Sequence, residues 1–152
     1  MNWKREHNER TLEALIPELE AKHGAEVALG EAARWTQVGH IQRLVDLGTD
    51  VNCRIGERQV TPLMMAGKKA AAKMLLELGA DVNATDAEGH TALMWLFIQH
   101  FRKHEALSRV KLLLSHRADT EILDAGGLSA YDHAIRRGDS ASAELIRIPN
   151  SG

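Results

Sequence analysis

The chain has one cysteine, Cys53, among 152 residues, so no internal disulfide can form. A packed, inert thiol is expected there. Aromatic residues make up only 4% of the sequence, too few for the stacking platform that grips single-stranded nucleic acid. Charge of neither sign dominates: 19 Lys and Arg against 21 Asp and Glu leave a net −2, with no overall pull towards nucleic acid or membrane. No apolar run approaches the length of a membrane span, and the opening MNWKREHNER lacks the apolar centre of a signal peptide. A soluble protein in a reducing cytoplasm is expected, with neither nucleic acid nor membrane among its partners. Glycine-rich phosphate loops, Cys-x-x-Cys pairs and a nucleophile elbow are also missing.

What is present is organised around Val60–Asn83, VTPLMMAGKKAAAKMLLELGADVN. Thr61-Pro62-Leu63 opens a helix, because Thr caps well and Pro suits the first turn. Leu63, Met64 and Ala66 line one side of it. After a turn at Lys68-Lys69, a second helix carries Met74, Leu75, Leu76 and Leu78 on its apolar side. Gly79 ends that helix through its tolerance of positive φ, and Ala80-Asp81-Val82-Asn83 leaves extended. The exit returns as Gly48-Thr49-Asp50-Val51-Asn52 and, more loosely, as Arg117-Ala118-Asp119-Thr120-Glu121. This places Asp50, Asp81 and Asp119 31 and 38 residues apart. The openers Thr61-Pro62-Leu63-Met64, Thr91-Ala92-Leu93-Met94 and Ser129-Ala130-Tyr131-Asp132 recur at 30 and 38. Self-similarity at such a period marks units that bury their faces only by stacking.

From about Val27 to Ile148 the chain resembles the ankyrin repeat family, whose unit is a β-turn plus two helices opened by T-P-L-H-x-A. The resemblance implies an all-α ankyrin repeat solenoid of about four helix–turn–helix units. Short β-turn or hairpin tips and an N-terminal capping helix complete it. The expected division is a flexible N-terminus at 1–10, a capping helix at 11–24, units at 25–53, 54–84, 85–123 and 124–148, and a tail at 149–152. Pro17 is expected to kink the capping helix or to start it. Ile41, Leu44, Val45 and Leu47 are assigned to the inner side of the first unit's second helix. The third unit is long, and its apolar first helix is expected to run past Ile98. Ser140, Ser142 and Glu144 give the last helix a solvent-facing side. The family's opener carries His after Thr-Pro-Leu. Here Met64, Met94 and Asp132 stand there, so the imidazole bond across the turn is expected to be absent from the middle units.

Function is then expected from surface contact, without catalysis, cofactor or metal. The resemblance implies docking on the concave side formed by tips and first helices. Residue by residue this selects Arg54, Glu57, Arg58 and Gln59, then Thr85, Ala87, Glu88 and His90, then Leu123, Ala125 and Leu128 at the tips. The first helices add Lys68, Lys69, Ile98, Gln99, Arg102, Arg136 and Arg137, with Asp139 following. Lys68-Lys69, Arg102-Lys103 and Arg136-Arg137 are basic pairs at three helix ends, suiting a protein partner with an acidic docking surface. Dipole complementation at helix C-termini explains the same pairs without any partner. Small size, irregular repeats and Met-rich openers resemble stand-alone bacterial members, suggesting a monomeric immunity protein or inhibitor. An adaptor or chaperone joining two proteins is the alternative. A metal-dependent enzyme using His100 and His104, spaced i, i+4, is a third reading, opposed by the neighbouring cations Arg102 and Lys103.

Overall fold

The computed structural model describes residues 9–99 and 103–147 of the chain. Among these residues there are nine helices: α1 Glu9–His23, α2 Ala25–Arg34, α3 Val38–Asp46, α4 Pro62–Met65, α5 Lys69–Glu77, α6 Ala92–Ile98, α7 Lys103–Ser115, α8 Ala130–Arg136 and α9 Ser140–Arg147. After α1 they form antiparallel pairs. α2, α4, α6 and α8 pack in sequence as one layer, while α3, α5, α7 and α9 form the second. α1 packs on α2 and closes that end of the stack through Ile16, which is 1% exposed.

Each pair buries one apolar seam between the layers. Leu29, Ile41, Leu44, Leu75, Leu93 and Val110 lose essentially all contact with water there, the burial that drives stacking. The openers behave as caps. Thr61 Oγ1 accepts from the Met64 amide at 3.4 Å and Thr91 Oγ1 from the Met94 amide at 3.3 Å. In the fourth unit, Ser129 donates its amide and hydroxyl to Asp132 Oδ2, both at 2.8 Å, and Ser129 Oγ accepts the Asp132 amide at 3.2 Å, completing a reciprocal box. The second unit's opener also keeps a version of the cross-turn bond expected to be absent without the imidazole. The Thr61 amide donates to the Met64 sulfur at 3.5 Å.

Helix exits share one geometry. Gly48 and Gly79 adopt φ 103° and 97°, and the amides of Thr49 and Ala80 close the turn onto Leu44 O and Leu75 O. Arg117 holds the same slot with φ 64°, and Ala118 closes onto Leu113 O.

Several details correct the reading from sequence. α1 begins by Glu9 and runs through Pro17, which stands on its exposed side. Leu47 is 67% exposed, because α3 ends at Asp46 and the chain turns away at Gly48. α6 stops at Ile98, with Gln99 extended at φ −81°, ψ 152°. The Arg137 guanidinium, one unit on, donates to the carbonyls of Phe97 and Gln99, supplying donors that the amides of a longer helix would have provided. The short α4 ends in the same way, with Arg109 Nη1 donating to Ala66 O at 2.8 Å. Ser142 is fully buried, its hydroxyl donating to Asp139 Oδ2 at 2.8 Å. Asp139 is itself 3% exposed and serves that turn instead of a surface.

Gly67 fixes where α4 and α5 separate. Its amide donates to Ala33 O at 3.1 Å, and any Cβ there would collide with the Arg34 carbonyl oxygen.

Candidate protein-binding surface

The second, third and fourth units each project a tip from the first-helix layer, shaped by its own residues. In the second tip, Ile55 and Val60 exchange backbone bonds of 2.8 and 3.1 Å, with Gln59 left-handed at φ 54°. In the third, Asp86 Oδ1 accepts the amides of Glu88 and His90, both at 2.9 Å. In the fourth, Asp124 Oδ1 accepts those of Gly126 at 2.9 Å and Leu128 at 3.0 Å. Such aspartate-centred loops replace helix or sheet partners for backbone that would otherwise be solvated.

The tips are also joined to one another. The Ala87 amide donates to Arg58 O at 2.9 Å, and the Ala125 amide to Glu88 O at 2.9 Å. Arg54 donates to Thr85 O, Arg58 pairs with Glu88 at 3.3 Å, and the Arg58 guanidinium lies 4.9 Å from the centroid of the Trp95 ring. The result is a continuous ridge with its backbone already ordered.

Arg54, Glu57, Arg58, Gln59, Lys68, Lys69, Ala87, Glu88, Leu123, Ala125 and Arg136 are exposed. Thr85, Ile98, Gln99, Leu128 and Arg137 are half-buried. Arg102 and His100 lie outside the described residues, as does the side chain of His104.

His90 requires a correction as a contact residue. It is 8% exposed, with Nδ1 3.2 Å from Asp86 Oδ2 and Nε2 3.5 Å from Asp124 Oδ2. It braces two tips because its position faces the neighbouring tip instead of solvent. Arg137 is likewise committed to the end of α6. The basic pairs need correction too. Lys68 is the N-cap of α5, Lys69 is its first residue, and Lys103 is the first residue of α7. At these N-termini a positive charge opposes the helix dipole, so dipole complementation does not account for them. Arg136, in the last turn of α8, does complement its dipole. The α4–α5 turn and α7 enclose a recess of about 290 Å³ lined by Gly67, Lys68, Lys69, Glu105, Ser108 and Arg109. Burial lowers the Arg109 guanidinium to about 10, with Glu105 opposing the shift, so it stays a cation at neutral pH.

Behind the ridge lies a polar layer that the sequence did not reveal. Trp95 Nε1 donates to Asp86 Oδ2 at 3.0 Å, and His133 Nε2 lies 2.7 Å from Asp124 Oδ2. Burial pushes both carboxyls up, but bonded donors outweigh it. The amides of His90 and Glu88 with the His90 and Trp95 side chains hold Asp86 below its ordinary value. Leu128, His133 and Gly126 do the same for Asp124. A signal was available: Asp86 and Asp124 each stand five residues before a capping hydroxyl, and Trp95 and His133 each stand four after it.

No described helix is long and apolar enough to cross a membrane. A family model for ankyrin repeats, in three copies, matches residues 63–150. The chain is 31% identical over 123 residues to a putative ankyrin repeat-containing protein of Treponema pallidum, covering 79% of this chain and 40% of that one. It is 30% identical over 109 residues to the palmitoyltransferase AKR1 of Lachancea kluyveri, 70% of this chain and 15% of the other. Over 131 residues it is 30% identical to the human ankyrin repeat and SOCS box protein 6, covering 78% and 31% respectively. The chain thus spans less than half the length of each of these relatives. Two layers of paired helices, aspartate-braced tips and a family match over more than half the sequence agree, and the chain belongs to the ankyrin repeat family, in general a non-catalytic fold that acts by protein–protein contact.

Proposed function

We propose that this chain binds a partner protein across the ridge formed by its three tips, and acts by covering that partner's surface, as an inhibitor or immunity protein does. The observation that carries this reading is the pair of backbone bonds, Ala87 to Arg58 O and Ala125 to Glu88 O. A ridge already ordered in the free protein loses little conformational entropy on docking, so contact energy is retained as affinity. Glu57, Arg58, Ala87, Glu88 and Ala125 supply the exposed contacts.

The docking surface of that partner is acidic where it meets the α4–α5 turn. Lys68 and Lys69 stand at a helix N-terminus against the local dipole, whereas Lys103 Nζ is engaged with Gly138 O at 2.8 Å, and the recess beside Lys68 and Lys69 has room for a carboxylate side chain. The chain is proposed to act as a monomer in the cytoplasm.

The test compares immobilised wild-type chain, Ala87→Arg/Ala125→Arg and, on the exposed second-helix layer, Lys111→Glu as baits in extract from source cells. A protein retained by wild type and Lys111→Glu but lost from the tip variant supports the reading. Equal retention by all three overturns it. Lys68→Glu/Lys69→Glu/Arg136→Glu is expected to weaken the same complex mainly through slower association, most clearly at low salt.

A further inference from the structure

We propose that the junction of the third and fourth tips is a binding site for a divalent transition-metal ion of the zinc type, held by His90, Asp124 and His133. One ligand atom from each of the three lies within 4.8 Å of the other two. The side chains are 11%, 5% and 14% exposed, so the cluster is largely sheltered yet open to a water as fourth ligand.

The hydrogen-bond inventory argues for a cation between them. Asp86 Oδ2, 3.2 Å from His90 Nδ1, can only accept, which assigns the proton of a neutral His90 ring to Nδ1. His90 Nε2 then presents a lone pair, and it faces Asp124 Oδ2 at 3.5 Å. Two acceptors directed at each other repel, whereas a metal ion between them is ligated by both. Asp124 divides its oxygens accordingly: Oδ1 takes the amides of Gly126 and Leu128, while Oδ2 points at the two imidazoles.

The spacings are near those of a tetrahedral centre. Ligand atoms about 2.0–2.1 Å from one zinc ion stand roughly 3.3 Å apart, and two such imidazoles have centroids about 5 Å apart. Here the Nε2 to Oδ2 distances are 3.5 and 2.7 Å, and the ring centroids of His90 and His133 are 5.7 Å apart. With all three ligand atoms within 4.8 Å of one another, binding would draw them inward to the tetrahedral spacing. Asp86 on the far nitrogen of His90 is the outer carboxylate that commonly orients a ligating histidine. Two imidazoles and one carboxylate select zinc, cobalt or nickel over magnesium. Binding takes the neutral His133 ring in the tautomer that carries its proton on Nδ1, leaving the Nε2 that faces Asp124 Oδ2 as a ligand. The ion would clip the third unit to the fourth.

The test titrates the chelator-stripped chain with zinc chloride, magnesium chloride as control, and repeats it with cobalt. One equivalent of zinc per chain, a higher melting temperature and the visible absorption of tetrahedral cobalt are expected. His133→Ala is expected to weaken zinc binding at least tenfold, whereas His100→Ala/His104→Ala leaves it unchanged. If circular dichroism shows that His133→Ala does not fold, His133→Gln serves in its place. Zinc bound no better than magnesium would overturn the site. Binding equal in wild type and the His133 variant, or lost with His100 and His104, would also overturn it.

Discussion

Asn52 Oδ1 accepts the backbone amide of Asp81, 29 residues ahead, at 2.7 Å, and its Nδ2 donates to Gly79 O at 3.2 Å. Asn83 repeats this one unit later, accepting from the Asp119 amide at 2.7 Å and donating to Arg117 O at 3.4 Å. These two amides stitch successive helix exits together. Asn83→Ala removes both bonds and is expected to lower stability by about 1–2 kcal/mol, read from urea unfolding. A loss below a few tenths would show that water replaces the side chain without penalty.

Leu75 and Leu113 occupy corresponding places in α5 and α7, at 0% and 2% exposure. Truncating either to Ala leaves a void between units and is expected to cost roughly 2–5 kcal/mol. Since each unit touches only its neighbours, hydrogen exchange should show the region around the substitution opening before the far end. Uniform exchange along the chain in both variants would contradict that picture.

Arg117 carries a side chain in the left-handed slot that Gly48 and Gly79 fill elsewhere. Arg117→Gly relieves that strain while keeping the carbonyl used by Asn83. Stabilisation of about 0.5–1 kcal/mol in chemical denaturation is the expected outcome. A destabilised variant would mean that the arginine side chain contributes more than its backbone strain removes.

Cys53 is 5% exposed, and its thiol is pushed up to about 12 by burial first and then by Glu26 and Asp50. At pH 8 its thiolate fraction is on the order of one in ten thousand, so a thiol reagent should modify the native chain only as it unfolds. Because the folded value exceeds the unfolded one, this group leaves stability untouched below about pH 8.5 and reduces it as pH rises towards 12. The gap between the unfolding midpoints of wild type and Cys53→Ala should therefore stay constant below that pH and change only above it. Fast modification of folded protein would refute the burial.

The repeating unit was legible because its signals are local. A capping hydroxyl at Thr61, Thr91 or Ser129, an apolar helix and a turn at Gly48 or Gly79 each act within a few residues of themselves, and recurrence reveals the stack. Length was less legible where a unit borrows from its neighbour. α6 ends at Ile98 under the guanidinium of Arg137, and α4 ends under that of Arg109, each supplied from some 40 residues away. Lys68 and Lys69 changed from the end of one helix to the start of another for a related reason: Gly67 is pinned against the Arg34 carbonyl.

The surface divided in the same way. Exposure of Arg58, Ala87 and Ala125 at turn tips follows from their place in the unit, which the linear pattern carries. The burial of His90 does not, nor does its meeting with Asp124 and His133, because residues 34 and 43 positions apart become neighbours only when one tip is laid on the next. Sequence alone determined what each unit is, since helix caps and turns are short-range. The register between units decided which side chains face solvent, which close a neighbour's helix and which converge into a cluster, since these depend on packing across the whole stack.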